Sequence, residues 1–353
     1  MKKAIGGTVV LILFLVGAYG MGVDNRTPQM QPKPTAAPTP KPLPIAKILP
    51  SDYQVFQSFN NCGPAALSMA LRYHGVVASQ EQLGAALRPW QNAIGDNDDK
   101  SVTLQELGQK ATNYGFLYYF RPNGTIDLLK RFVAADMPVI TRTWLNKNED
   151  IGHYRVVNGY DENTRELIQQ DSMEGKDLRY SYDVFNQLWK NNNFEYMVIV
   201  PPGKKEVAEA ILGADRDEQS AWRSALQNAQ TQLVTDPNDV YARFNASIAY
   251  YHLNDYTSSV NEFEQIEKRL APRTLWYQIE PILAYEKLGS DDRVLQITDQ
   301  ILNNQNRAYS ELYIVRGNIY KKQGNLQLAR TEYEKALYYN RNLKAAIDAL
   351  GSM

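Results

Sequence analysis

The residues best suited to covalent chemistry surround Cys62, the only cysteine among the 353 residues of the chain. Gly63 and Pro64 follow it, and residues 65–71 then carry apolar side chains at helical spacing. Because proline is favoured in the first turn of a helix, the pattern predicts a helix that begins at or just after Cys62. The unpaired N–H groups and the dipole of a helix N-terminus lower the pKa of a thiol there. The alternative is a small buried core residue, which is the commoner role of an unpaired cysteine.

A second group of residues could supply a general base and its orienting carboxylate. His153 begins an apolar segment that predicts a β-strand ending in a turn that begins at Gly159, and Asp171 ends the next predicted strand. Antiparallel pairing would bring the two side chains together, as a Cys–His–Asp arrangement requires. Of the other two histidines, His74 lies where a helix C-cap is expected and His252 lies in a later helical region. The sequence therefore predicts Cys62, His153 and Asp171 as a candidate triad.

These segments resemble the papain-like cysteine peptidases that process bacteriocin leaders, and their bacterial relatives. The resemblance is carried by residues 57–65, residues 152–160 and Asp171. It covers roughly residues 50–202 and implies that Cys62 is the nucleophile, His153 the general base and Asp171 the orienting carboxylate. The implied fold is a helix bearing the cysteine packed on an antiparallel sheet bearing the histidine and the aspartate.

The resemblance also implies a glutamine that helps the Cys62 N–H to stabilise the oxyanion. Gln57 is chosen because it lies five residues before Cys62, whereas Gln54 lies farther upstream. Ser172 follows Asp171 where relatives often have proline. We therefore expect Gln57 to complete the site.

Composition excludes several other classes of function. The formal net charge is −1, and no basic patch could neutralise phosphates, so no nucleic acid partner is expected. One cysteine excludes an internal disulfide and makes a thiolate metal cluster implausible. The acidic residues 95–100 do not match an EF-hand loop, because Ser101 and Leu107 occupy the glycine and glutamate positions. We therefore predict a solvated turn there, and neither a metal nor a cofactor.

The N-terminus predicts a membrane anchor. Residues 4–23 carry no charge, and two lysines precede them. Such a length can cross a bilayer, and the lysines would place residues 24–353 outside the cytoplasm. The alternative is a signal peptide cleaved after Gly20, which would release a secreted protein with Met21 at its N-terminus.

The remaining chain predicts a linker and two folded regions. Residues 24–50 hold eight of the 17 prolines and predict an extended spacer. Residues 51–202 predict an α+β papain-like cysteine peptidase domain. Besides the cysteine helix and the two strands above, helices are predicted near residues 79–87, 103–113, 125–135 and 182–190, and strands near 116–120, 138–144 and 194–200.

The C-terminal region predicts an all-α TPR-like helical repeat domain. Residues 203–236 would be connecting helices, and residues 237–353 show a repeat of 35 residues. The aligned positions are Tyr250, Tyr285 and Tyr320; Asn254, Gly289 and Gly324; Ser259, Val294 and Ala329; and Phe263, Thr298 and Tyr333. The third copy is similar to the tetratricopeptide repeat (TPR), which implies a protein partner.

Two functions fit these features. The first is a membrane-tethered extracytoplasmic cysteine peptidase, with repeats that bind a substrate or a partner; transfer of the acyl group to an amine would use the same residues. The second is a catalytically silent papain-like domain that binds a peptide and assembles a complex through its repeats. The presence of all four expected side chains favours the first.

Overall fold

The computed structural model describes residue 1, residues 42–90 and residues 102–353. Leu43–Met353 form one compact unit, to which every element below belongs. Its first half combines helices with an antiparallel sheet, and its second half is helical. The predicted fold class, an α+β domain followed by an all-α repeat region, is confirmed.

The described part of the first half contains five helices and seven strands. The helices are α1 (Cys62–Tyr73), α2 (Gln80–Leu87), α3 (Leu104–Thr112), α4 (Ile126–Ala134) and α5 (Tyr182–Trp189). The strands are β1 (Ala46–Ile48), β2 (Leu117–Arg121), β3 (Val139–Trp144), β4 (Gly152–Asp161), β5 (Glu166–Asp171), β6 (Gly175–Ser181) and β7 (Tyr196–Val200). Ser79, Thr103 and Thr125 accept hydrogen bonds from the first turns of α2, α3 and α4, which fixes where these helices begin.

The strands form a sheet in the order β2-β7-β3-β4-β5-β6, with β1 paired to the far end of β4. Successive side chains of a strand point to opposite faces, so the sheet has two apolar faces. One face packs on α1, α2 and α3 through Ile140 and Val156. The other face packs on α4 and α5 through Val139 and Val157. The central strand β4 is thereby held on both sides.

The structure corrects three details of the predicted first domain. The spacer predicted to end at residue 50 instead contributes strand β1, which pairs with β4. Gly159 does not begin a turn, because β4 continues through it to Asp161 with an irregularity after Val157. Strand β6 was not predicted; only one of its seven residues is buried, so it lacks the apolar alternation of a core strand.

The second half is a series of helices, of which the first two connect to the sheet domain. The helices are α6 (Lys205–Leu212), α7 (Glu218–Thr235), α8 (Val240–His252), α9 (Tyr256–Glu264), α10 (Glu280–Lys287), α11 (Asp291–Asn304), α12 (Ser310–Lys322), α13 (Leu326–Tyr339) and α14 (Lys344–Gly351). Asn254, Gly289 and Gly324 adopt positive φ between the paired helices, as their common place in the repeat requires. The 35-residue register is therefore confirmed.

Several predicted features lie outside the described residues: the apolar segment 4–23, residues 24–41 of the spacer and the whole of the acidic turn at 95–100. The part of the chain that the structure describes has no helix long and apolar enough to cross a membrane.

Candidate active site

Cys62 is the first residue of α1, as the sequence predicted. Pro64 and the buried apolar residues after it pack this helix against the sheet, which fixes the position of its N-terminus. Cys62 itself is partly buried and is one of the residues that line a cavity at the surface. The backbone N–H of Tyr154 on β4 donates a hydrogen bond toward the sulfur. The cysteine therefore lies where N–H groups converge on an anion.

His153 and Asp171 lie on the neighbouring strands β4 and β5 and are in contact. The distance from His153 Nε2 to Asp171 Oδ2 is 3.0 Å. The His153 and Cys62 side chains line the same cavity, and their electrostatic interaction shifts the pKa of both. Because Nε2 faces the carboxylate, Nδ1 is the ring nitrogen available to the thiol. The three predicted residues thus form one connected chain of side chains.

Asp171 is surrounded by four hydrogen-bond donors. Its Oδ2 accepts from His153 Nε2 and from Arg155 Nε at 2.7 Å. Its Oδ1 accepts from the backbone N–H of Met173 at 2.6 Å and of Glu174 at 3.0 Å. Burial alone would raise the pKa of this carboxyl, but these donors and the charges of His153 and Arg155 hold the pKa well below its usual range. Asp171 is therefore a carboxylate whenever the protein is folded near neutral pH.

Sequence reasoning missed Arg155, the most deeply buried charged partner of the site. Its side chain has no solvent exposure, and it is the cross-strand neighbour of Asp171. The guanidinium also donates to Thr143 Oγ1 at 2.6 Å and to the carbonyls of Trp144 at 3.1 Å and Leu145 at 2.9 Å. The sequence carried a signal for it, because a charged residue interrupts an otherwise apolar strand two residues after the histidine.

The electrostatics favour an ion pair between Cys62 and His153. Burial raises the pKa of the Cys62 thiol, but the hydrogen bond and charge of His153, the charge of Arg88 and the Tyr154 N–H outweigh it, so the pKa is lowered. Burial lowers the pKa of His153, but hydrogen bonds to Asp171 and Cys62 outweigh it, so the pKa is raised. Both shifts move the proton from sulfur to imidazole.

The two candidate glutamines occupy different environments. Gln57 lines the cavity at Cys62, and its Oε1 accepts a hydrogen bond from Ser172 Oγ at 2.7 Å. Because Oε1 faces Ser172, the Gln57 Nε2 points away from Ser172. Nε2 is the atom of this amide that can donate a hydrogen bond to a substrate. Gln54 instead donates its Nε2 to the Asp171 carbonyl oxygen at 2.7 Å. The structure therefore brings Gln57, and not Gln54, to the cavity.

The cavity at Cys62 has a volume of about 500 Å³ and an apolar rim. Its exposed apolar side chains are Phe56, Phe59, Ile151 and Met173. Such a cleft suits an extended chain with apolar side chains, with the thiol at its base. Among the described residues, no group of three or more His, Cys, Asp or Glu side chains could hold a metal ion.

The other two histidines lie elsewhere. His74 is the C-cap residue of α1, and burial, with a contribution from the charge of Lys204, lowers its pKa to about 4. His252 stacks on Trp222 in the helical region, with ring centroids 3.8 Å apart. Of the three histidines, His153 is the one that lines the cavity at Cys62.

Comparison with known proteins gives two family matches and several solved structures of similar fold. Residues 48–197 match the Peptidase_C39 like family, and residues 310–343 match a tetratricopeptide repeat. A search of curated protein sequences returned no match to this chain.

Three of the similar structures cover one region or the other. A C39-like peptidase from Bacillus anthracis is 18% identical, with 43% of this chain and 96% of that chain covered and a TM-score of 0.35. The peptidase domain of Streptococcus ComA, a bifunctional ABC transporter in a quorum-sensing pathway, is 22% identical, covering 42% of this chain and 96% of its own (TM-score 0.33). A thermophilic TPR protein from Thermus thermophilus is 18% identical, covering 37% of this chain and 81% of its own (TM-score 0.30).

The architecture and the family matches agree on the two regions. The chain joins a domain like those of the Peptidase_C39 like family to a helical region that ends in a tetratricopeptide repeat.

Proposed function

We propose that this chain is a membrane-tethered, extracytoplasmic cysteine peptidase that hydrolyses a peptide bond through Cys62, His153 and Asp171. The proposal rests on one observation above the others. His153 contacts Asp171 at 3.0 Å and lines the same cavity as Cys62, which begins a helix, and the interaction of the two residues lowers the pKa of Cys62 and raises that of His153. Nucleophile, base and orienting carboxylate are thus connected in the order that acyl transfer to a thiol requires.

In the first step, the Cys62 thiolate attacks the carbonyl carbon of the substrate and forms a C–S bond. The carbonyl oxygen becomes an oxyanion, which accepts hydrogen bonds from the Cys62 backbone N–H and from Gln57 Nε2. His153 then gives its Nδ1 proton to the leaving nitrogen as the C–N bond breaks. The products of this step are a free amine and a thioester on Cys62.

In the second step, His153 Nδ1 takes a proton from a water molecule, and the resulting hydroxide attacks the thioester. The C–S bond breaks, the acid product leaves, and Cys62 returns as a thiolate beside a protonated His153. Asp171 stays ionised throughout and stabilises the imidazolium.

The tether and the repeats belong to the same proposal. Residues 4–23 would anchor the chain, and the two preceding lysines would keep the remainder outside the cytoplasm. The helical repeats would bind a protein, as stacked helix pairs commonly do. N-terminal sequencing of the mature protein tests the anchor, because a chain that begins at Met21 would be secreted instead.

The activity is tested with the purified full chain and a peptide mixture made by digesting a bacterial lysate with trypsin. Mass spectrometry should detect new peptide termini with the wild-type protein and none with Cys62→Ala. If the wild type binds peptides but creates no new termini, the chain is a silent peptide-binding scaffold. Cleavage that persists in Cys62→Ala would also refute the proposal.

A further inference from the structure

The repeat region approaches the candidate site through an irregular segment between α9 and α10. There the backbone N–H of Arg273 donates to Asp150 Oδ2 at 2.9 Å, and its guanidinium donates to Asp150 Oδ1 at 2.8 Å. Asp150 lies two residues before strand β4. The contact therefore fixes the repeat segment against the end of the strand that carries His153.

Tyr277 brings this segment next to the histidine. A Cβ added to Gly152 would lie 2.8 Å from the Tyr277 ring, so the ring packs directly on the backbone before His153. The Tyr277 carbonyl accepts from Arg142 Nη1 at 3.1 Å, and Arg142 is buried in an ion pair with Glu195 at 2.5 Å. A buried charge pair beneath the contact makes the position of the segment specific.

A second cavity, of about 680 Å³, lies between the two regions. The sheet domain contributes Trp144 and Ile151, and the repeat region contributes Pro272 and Trp276. Trp276 is held by a hydrogen bond from its Nε1 to Gln305 Oε1 at 3.0 Å. These apolar and aromatic side chains share the lining with the polar residues Asn148, Glu149, Asn304 and Gln305 and with the Asp150–Arg273 ion pair, and the repeats supply part of the wall.

The two cavities share one lining residue, Ile151. Ile151 precedes His153 by two residues of extended chain, which corresponds to about 7 Å. A substrate bound in extended form advances by a similar distance over two residues. A peptide bound at Cys62 could therefore continue past Ile151 into the second cavity. The side chain that it places there would belong to a residue two or more positions from the bond that is cut.

We propose that this interdomain cavity binds an apolar or aromatic side chain of the peptide substrate, and so selects where the peptide is cut. The inference rests on the proposed peptidase function. The shared wall at Ile151 points to the peptide that reaches Cys62 as the occupant. Because Asp150 and Arg273 are already paired with each other, the Trp144 and Trp276 rings favour an apolar residue over a charged one. In addition to forming their own helical domain, the repeats then supply one wall of the substrate site.

The test compares the wild type with Trp276→Ala on the same tryptic peptide mixture. In the wild type, cleaved peptides should be enriched in apolar residues at one fixed position two or more residues from the cut. In Trp276→Ala, kcat/KM for those peptides should fall about tenfold or more relative to peptides without that residue. Leu326→Ala, an exposed apolar residue of the repeats, is the matched control and should retain the wild-type preference.

Alkylation of Cys62 by iodoacetamide reports whether the site remains intact in each variant. If Trp276→Ala does not fold, Ala271→Gln narrows the same cavity without touching the Trp276–Gln305 contact and must produce the same loss. Cleavage with an unchanged preference in a folded variant overturns this inference and leaves the peptidase in place. Absence of any Cys62-dependent cleavage overturns the proposed function and this inference with it.

Discussion

Replacing Asp171 by asparagine should damage the protein more than its role as an orienting residue suggests. Each carboxylate oxygen accepts two hydrogen bonds, one pair from His153 and Arg155 and the other from the backbone of Met173 and Glu174. An amide has one oxygen and one NH₂ group. In Asp171→Asn, one of these pairs of donors must therefore face another donor.

The magnitude follows from the burial of the pair. Asp171 and Arg155 side chains both have 0% exposure, so the substitution leaves the guanidinium buried without its anion. Removal of one partner of a buried ion pair costs about 3–5 kcal/mol. We expect a loss of that size in the free energy of unfolding, measured by urea denaturation with tryptophan fluorescence.

The effect should depend on pH in a defined direction. The pKa of Asp171 is depressed in the folded state, so its carboxylate contributes stability that is fully present above the ordinary value of 3.8. That contribution is lost as the pH falls below 3.8 toward the folded-state pKa. The difference in stability between the wild type and Asp171→Asn should therefore be largest near neutral pH and shrink in acid.

Asp177→Asn is the matched control, because Asp177 is exposed on the neighbouring strand and has positive φ, which asparagine tolerates. It should change the stability by less than about 0.5 kcal/mol. A loss below about 1 kcal/mol for Asp171→Asn would show that Arg155 does not depend on this carboxylate. Arg155→Met added to Asp171→Asn should recover part of the loss, because the unpaired charge is then removed.

Three further outcomes are expected. Gln57→Ala should lower kcat by roughly 10²–10³, because it removes the amide proposed to bind the oxyanion. Ser172→Ala only releases that amide from its hydrogen bond and should lower kcat by less. Equal losses in the two variants, or no loss in either, would contradict this order. Gly152→Ala should lower the melting temperature, because the added methyl group clashes with the Tyr277 ring. Adding Tyr277→Ala to the same chain should restore part of that loss. If the double variant instead shows the sum of the two single losses, the two residues are not in contact. Deleting residues 237–353 should lower the melting temperature of the remaining domain. An unchanged melting temperature would mean that the interdomain contacts contribute no stability.

The predictable part of this fold came from local patterns. The start of α1 at Cys62 follows from the proline and the apolar spacing after it, and the turns at Asn254, Gly289 and Gly324 follow from the repeat. These features depend on residues close together in the chain, so a sequence displays them.

The missed parts depend on contacts between distant residues. Strand β1 forms because residues 46–48 pair with β4, more than 100 positions away, and its neighbours are the prolines of a predicted spacer. Arg155 stands out in sequence, but its partner Asp171 is known only once the register of β4 and β5 is set. Tyr277 contacts Gly152 from the irregular segment between α9 and α10, which lies outside the paired helices of the repeat.

The central claim is that Cys62 is a nucleophile activated by His153, and the rate of its alkylation by iodoacetamide tests this most directly. No substrate is needed, and the chain has no other cysteine. The rate should be measured from acid to alkaline pH for the wild type, His153→Ala and free cysteine. The lowered pKa predicts that the wild type reacts at lower pH than free cysteine, and that His153→Ala loses this difference. A wild-type profile that matches free cysteine, unchanged by His153→Ala, would contradict the account.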